Sequence, residues 1–505
     1  MDGADEGERR LEEERRAKAA RMRAEGTDPY PPSFPGREPS GPVAAEAAAL
    51  APGTESPERS ARLAGRLWAV RAHGRTAFAD LVDRDGTIQL LLRADVLGEA
   101  AFRRALADLD PGDLIGVEGY PARSRRGEPS LVPRSVVLLA KAIAPPPEKY
   151  HGLRDPEERI RRRYVDLLAS ARSRQRFRGR SLLLRAIREH YLAAGFLEVE
   201  TPVLVPVAGG AAAAPFTTRS RYLGEELQLR IALELALKRL LVGGLEQVFE
   251  IGHCFRNEDL DSTHSPEFTM LEAYWAYADY TDMRRLTEGL FARLAGLARE
   301  IHPDDPAVAA AAERFSPPYP TLDFVDALEE ASGLRGVASM DPQTLFRHAR
   351  AAGATVPEAS PPGVFLDKLF EHYVEPSIDH VTFVVDHPAS TTPLAKRHRS
   401  KDGRVERFEV FVRGYEIGNA YTELNDPDEQ ERRFREQLDA QGEDRYAYDA
   451  DFVEALRYGM PPATGIGLGI DRIAMALLGA DSIKDVLLFP QVRRRGPAGP
   501  RGGAP

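Results

Sequence analysis

Cysteine is almost absent: Cys254 is the single thiol in 505 residues. One thiol excludes an intrachain disulfide and any cysteine-rich metal site, and a reducing, cytoplasmic setting is the expectation that follows. Long apolar runs are missing as well. No stretch of about 18 hydrophobic residues occurs, so no segment is expected to span a bilayer. The N-terminus carries Arg9, Arg10, Glu12, Glu13, Glu14, Arg15 and Arg16 where a secretory leader would carry an apolar core. Positive charge is not in excess either. With 68 basic and 78 acidic side chains the formal charge is −10, which excludes a protein that coats nucleic acid indiscriminately, because such binding rests on neutralising phosphates. A basic face on an acidic protein remains compatible with these numbers, and selective RNA binding needs no more than that.

What is present suits a soluble chain of two or three domains, with 43% hydrophobic and 29% charged residues. Residues 1–60 read as a charged helical stretch followed by a Pro- and Gly-rich run, expected to form a mobile extension. Residues 61–144 read as short strands: 66–71, 76–81 and 87–92, a helix near 98–109, and two strands flanking Arg126-Gly127. Five strands with a helix between the third and fourth match an OB-type barrel, although other small barrels share that count. Pro145-Pro146-Pro147 marks a hinge. From 150 to 491, a helix over 173–194 with Phe177, Leu184, Ile187 and Tyr191 on one stripe opens a second domain. Helices there alternate with strands paired through tight turns, which points to an α+β domain on an antiparallel sheet. Residues 492–505 carry Arg, Gly and Pro without apolar period and are expected to be disordered.

Three stretches carry chemistry. In the first, 248–258 leads through a polar loop to 265–274. Arg256 offers a planar fork of donors to phosphate and carboxylate, and Phe268 offers a face for a base. Phe268, Met270, Glu272 and Tyr274 share one strand face by the two-residue period. A carboxylate and a phenol side by side suit a cationic substrate, although a solvated charged turn fits the bare pattern too. In the second stretch, 406–423, a turn at Arg413-Gly414 places Glu416 opposite Phe411 and makes Glu409 its diagonal neighbour. Two converging carboxylates would share Mg²⁺ between themselves and a phosphate; an exposed acidic hairpin fits the spacing equally. Asn419, Tyr421 and Glu423 share a face, but strict alternation puts Glu416 on the other one unless a bulge at Gly418 resets it. In the third stretch, Gly465, Gly467 and Gly469 bare one strand face for a flat ligand. Asp471 can cap the next helix, with Arg472 near its electropositive start. The glycine spacing does not match a dinucleotide fingerprint.

Phe255-Arg256-Asn257-Glu258, then His264-Ser265-Pro266-Glu267-Phe268-Thr269-Met270-Leu271-Glu272, resembles motif 2 of the class II lysyl-tRNA synthetases. Gly465 to Leu478 is similar to motif 3, and Phe196 to Pro202 to motif 1, in the family's order, from about residue 60 to 491. The resemblance implies an OB-type anticodon domain and a class II catalytic domain that uses ATP and Mg²⁺ to make lysyl-adenylate and then charges tRNA(Lys). It implies that Arg256 and Arg472 are catalytic, and that Arg256, Glu258, His264, Phe268 and Arg472 bind ATP. It places Glu234, Glu272, Tyr274, Asn419, Tyr421 and Glu423 around lysine, Glu409 and Glu416 on metal, and Arg71, Phe78 and Gln89 on the anticodon. Motif 1 implies a homodimer. Three acidic candidates, Glu234, Glu272 and Glu423, favour a dibasic amino acid over aspartate or asparagine. The chain departs from the family at Leu233 (usually proline), Ala214 (usually arginine), Arg219–Gly224 (usually a His- and Asn-containing loop) and Thr392 (usually serine). These departures leave open a related lysine-adenylating enzyme with another acceptor.

Overall fold

The computed structural model describes residues 2–147, 153, 155–211, 213–258, 260–301, 303–441 and 449–493. Most of the tail expected at 492–505, and residue 150 where the second domain is expected to open, lie outside the described residues. The chain divides into two compact units, Met1–Ala171 and Arg172–Pro505. The division falls later than the Pro145–Pro147 run.

In the first unit, strands β1 (Ala61–His73), β2 (Thr76–Val82), β3 (Thr87–Arg93), β4 (Leu114–Arg123) and β5 (Pro129–Ala140) close a barrel in the order β1-β2-β3-β5-β4. Alternation decides which side chains fill it. Ala77, Ala79 and Leu81 of β2 and Ile88, Leu90 and Leu92 of β3 point inward and are buried. The helix Glu99–Asp108 lies between β3 and β4. The N-terminal extension differs from expectation. Its helices, Asp2–Ala24 and Ser40–Ala49, are fastened to the barrel: Met22 and Val43 enter the barrel's apolar core. Lys18 pairs with Asp110 at 2.7 Å, and the Phe34 ring sits over Gly116, where any Cβ would meet it. A helix reading from charge alone missed these few apolar contacts.

The second unit is built on an eight-stranded sheet. Its strands are β6 (Leu197–Glu198), β10 (Gln247–Phe255), β11 (Glu267–Ala276), β12 (Thr321–Asp323), β13 (Thr382–Val385), β14 (Arg407–Val412), β15 (Tyr415–Thr422) and β16 (Ala463–Gly469), in the order β12-β13-β14-β15-β16-β11-β10-β6. A small second sheet holds β7 (Leu204–Val205), β8 (Thr217–Arg219) and β9 (Glu226–Leu229). The large sheet is mixed rather than purely antiparallel. The central pairings are antiparallel, and β12 and β6 add one parallel strand at each edge. One face packs on the helices Ala171–Ala193, Tyr280–Ile301 and Ile470–Leu477 through Leu271, Ala273, Ile417, Ala420, Ile466 and Leu468. On the first helix Leu183, not Leu184, is the fully buried member of the stripe with Phe177, Ile187 and Tyr191. The opposite sheet face is left for a cavity.

Candidate active site

That face opens on a cavity of about 480 Å³. Its floor is β16. Because Ile466 and Leu468 pack on the helices, Gly465, Gly467 and Gly469 all face the cavity, and neighbouring strands set their side chains around them in register. Tyr274 and Tyr421 flank Gly465, Glu272 and Asn419 flank Gly467, and Met270 flanks Gly469. A Cβ at Gly465 would run into Glu423 and the Tyr274 ring. The glycine face therefore runs from an acidic, aromatic end at Gly465 to Arg472 beyond Gly469. At about 3.3 Å per residue, Gly465 and Gly469 are roughly 13 Å apart.

The β14–β15 hairpin explains how Glu416 joins this face. Its turn is Arg413-Gly414, both at positive φ (54° and 75°), and Phe411 lies opposite Glu416. The register slips between Val410 and Phe411, so Ile417 is the unpaired residue. Ile417 and Gly418 both turn to the helix side. A Cβ at Gly418 would meet Leu468 Cδ2 at 2.5 Å, and Glu416 is thereby returned to the face of Asn419 and Tyr421.

At the arginine end, Arg256 lies over the Phe268 ring, 5.1 Å from its centroid, and donates to the Ile231 carbonyl at 3.4 Å. Arg472 donates to the Glu416 carbonyl at 2.8 Å and to His264 Nε2 at 2.9 Å. His264 Nδ1 lies 2.8 Å from Asp261, so the ring proton belongs on Nδ1. Glu258 is exposed at the cavity wall. Asp471 does not cap its helix: Gly469 holds the cap position. Asp471 instead accepts from Arg180 at 2.6 Å and from the Thr269 amide at 2.8 Å, which ties the helix Ala171–Ala193 and β11 to the base of Arg472.

Glu409 and Glu416 differ in environment. Glu409 is gripped by Arg407 and by His387 Nε2 at 3.1 Å; burial works against its charge, but these two partners hold its carboxyl low. Glu416 is pushed up by burial and by Glu409. Among the described residues no cluster of three or more His, Cys, Asp or Glu side chains forms a metal cage. Two carboxylates near Arg256 and Arg472 nonetheless fit Mg²⁺, which takes few protein ligands and completes its shell with phosphate and water.

At the acidic end, Glu234 Oε1 accepts from Tyr421 at 2.6 Å, and Glu272 accepts from the Leu233 amide at 2.8 Å and from Tyr274 at 3.0 Å. Glu272 is raised to about 7, by burial first and by Glu234 second. Glu423 is fully buried and raised by burial despite Lys238; its Oε1 has no hydrogen-bond partner among the described residues. Lys238, which lies outside the three sequence stretches, pairs with both Glu234 and Glu423. In sequence it is only a lysine at i+4 from Glu234, a spacing that exposed ion pairs share. Arg407 was missed too, although it shares a strand face with Glu409 at the two-residue period. Of the departures, Thr392 lines the cavity, whereas Arg219–Gly224 forms the exposed turn of the small sheet. Leu233 touches the site through its amide, which donates to Glu272. A proline there has no N–H to give Glu272.

In the barrel, Arg71 faces Phe78 across β1–β2, and Asp80 faces Gln89 across β2–β3. All four lie on the outer barrel face, with Arg71 held by Asp80 at 3.1 Å and Gln89 bonded by Ser130 at 3.1 Å. The half-buried Phe78 is therefore not barrel core.

Residues 155–493 match the model of the class II tRNA synthetases (D, K and N), and residues 61–139 match the OB-fold nucleic acid binding domain. A lysine–tRNA ligase of Deinococcus radiodurans is 47% identical over 460 residues, 89% of this chain and 86% of that protein. One of Roseiflexus castenholzii is 45% identical over 489 residues, 96% and 99% of the two chains, and one of Chloroflexus aurantiacus is 44% identical over 490 residues, 96% and 98%. An OB barrel ahead of a class II catalytic domain, with full-length relatives of this kind, places the chain in the lysine–tRNA ligase family of class II aminoacyl-tRNA synthetases.

Proposed function

We propose that the cavity joins L-lysine to ATP and that the enzyme then transfers lysine to the 3′-terminal adenosine of tRNA(Lys). The observation that carries this reading is the polarity of the glycine face: Glu234 and Glu272 line one end, with Glu423 buried against Gly465 beside them, and Arg256 and Arg472 lie toward the other. Lysine lies with its ammonium groups among Glu234, Glu272 and Glu423, beside Tyr274, Asn419 and Tyr421. Its carboxylate points at Arg256. Adenine stacks on Phe268, and Glu258, His264 and Arg472 hold the nucleotide. A lysine carboxylate oxygen attacks the α-phosphorus, the bond to the bridging oxygen breaks, and pyrophosphate leaves. Arg256 sits where charge accumulates on the α-phosphoryl oxygens, and Arg472 holds the triphosphate in line. No protein nucleophile is required, so the acceleration comes from positioning and fixed charge. Mg²⁺, held by Glu409 and Glu416, would neutralise triphosphate charge. In the second half-reaction the ribose hydroxyl of the terminal adenosine attacks the lysyl carbonyl, and AMP leaves.

Arg71, Phe78 and Gln89 contact the anticodon, where an aromatic face and flanking donors suit splayed bases. The catalytic unit pairs with a second copy through the β6 edge, which presents an unpaired strand with Leu197 half exposed; sedimentation of the full chain checks this. A cytoplasmic setting fits the single buried thiol, and no helix among the described residues is long and apolar enough to cross a membrane. The test is ATP–pyrophosphate exchange with each amino acid in turn, followed by tRNA charging. Lysine-dependent exchange and charging of tRNA(Lys) are expected. Exchange with another amino acid would overturn the pocket assignment, and exchange without charging would overturn the acceptor.

A further inference from the structure

At the acidic end of the cavity, a cation is already in place. Lys238, on the helix Glu234–Val242, is fully buried. Its Nζ lies 2.5 Å from Glu234 Oε1 and also contacts Glu423 Oε2. The rings of Tyr421, Phe452 and Tyr274 surround it at 5.4, 5.9 and 6.0 Å. The titratable and charged groups facing this end are Glu234 on its own helix, Glu272 and Tyr274 on β11, Tyr421 on β15, Glu423 just after it, and Arg256 after β10. Burial alone favours a neutral amine, but the two carboxylates outweigh it and hold the proton on Lys238. A methionine would fill the same space with no charge to desolvate, so packing does not call for an ammonium here.

We propose that Lys238 is a positioning residue for substrate selection: its ammonium binds Glu423 and Glu234 into one preformed acidic site and offsets one of three carboxylates, leaving two for the two ammonium groups of lysine. The inference rests on the lysine pocket described above and adds a charge count to it. Glu423 Oε2 and Glu234 Oε1 are turned toward Lys238, whereas Glu423 Oε1 lies against the bare face of Gly465 on the cavity floor, so it is the oxygen left for an incoming cation. Without Lys238, mutual repulsion among the carboxylates would draw in a proton, and the pocket would lose the acceptor that the substrate needs.

The experiment is lysine-dependent ATP–pyrophosphate exchange by full-length Lys238→Met, read from about pH 6.5 to about pH 8.5 beside the wild type. Lysine KM is expected to rise roughly tenfold or more at the acid end, with kcat and the KM for ATP close to wild type. The variant-to-wild-type KM ratio should shrink as pH rises, because higher pH removes the extra proton; titration of the substrate itself cancels in the ratio. An unchanged lysine KM, a ratio independent of pH, or a loss confined to kcat would overturn the proposal. Lys238→Ala gives a second reading that does not depend on the methionine fitting. Added propylammonium should lower its lysine KM, and n-propanol of similar shape should not; equal rescue by both, or by neither, contradicts a charge role. Glu423→Gln separates the two levels. If it raises lysine KM and Lys238→Met does not, the charge count fails alone; if neither does, the pocket assignment fails as well.

Discussion

Glu272 gives the site a pH signature. Burial and Glu234 raise its carboxyl to about 7, while the Leu233 amide and the Tyr274 hydroxyl work in the opposite direction. A raised carboxyl carries its proton in the folded state at pH values where the unfolded chain has released it. Its contribution therefore makes the empty enzyme less stable as pH climbs from the ordinary carboxylate range through about 7. A bound ammonium reverses that preference by favouring the ionised form. Stabilisation by lysine, measured as a thermal shift at fixed free lysine, should therefore be larger at about pH 8 than at about pH 6; a shift independent of pH would remove Glu272 from the binding face. Leu233→Pro tests the same carboxylate from its other side. Losing a donor to a charged group is worth about 1.5–3 kcal/mol, so lysine KM at neutral pH should rise by roughly one to two orders of magnitude and recover at higher pH. An unchanged KM would show that the departure from proline has no bearing on the substrate.

Among the elements, β16 decides most, because its glycines leave room for everything else. Gly465→Ala would drive a methyl group into Glu423 and Tyr274. Lysine-dependent exchange should fall by about two orders of magnitude, while nucleotide binding, read at the Gly469 end, persists; normal exchange would mean that the floor is not where substrate lies. The glycine face was legible in the sequence because strands alternate with period two; the turn was marked by Gly414 alone, because glycine takes positive φ freely and Arg413, at 54°, does not. The bulge at Ile417 was only half legible. Gly418 marks it, but nothing local shows that Leu468 from the neighbouring strand occupies the space a side chain would need. Lys238 was not legible, since an exposed lysine at i+4 from a glutamate has the same pattern as a buried one. The fastening of the N-terminal helices escaped for a related reason: Met22 and Val43 are single apolar residues in charged or alanine-rich stretches, and their partners lie far along the chain.

Taken whole, the molecule separates recognition from chemistry: an OB barrel in one unit and a class II site in the other. Phe78→Ala should accordingly raise the KM for tRNA in charging, since stacking on an aromatic face is worth about 1–3 kcal/mol per base. It should leave lysine-dependent pyrophosphate exchange untouched, and equal loss in both assays would contradict the division. For the other unit we propose that the acidic end of the cavity selects the substrate cation and the arginine end performs the phosphoryl chemistry. Steady-state exchange by Glu423→Gln tests this most directly, because the substitution keeps the shape of the side chain and removes the buried charge. The predicted result is a lysine KM raised roughly 30-fold or more, about 2 kcal/mol, with the KM for ATP and kcat near wild type. An unchanged lysine KM, or losses shared equally between lysine and ATP, would contradict it.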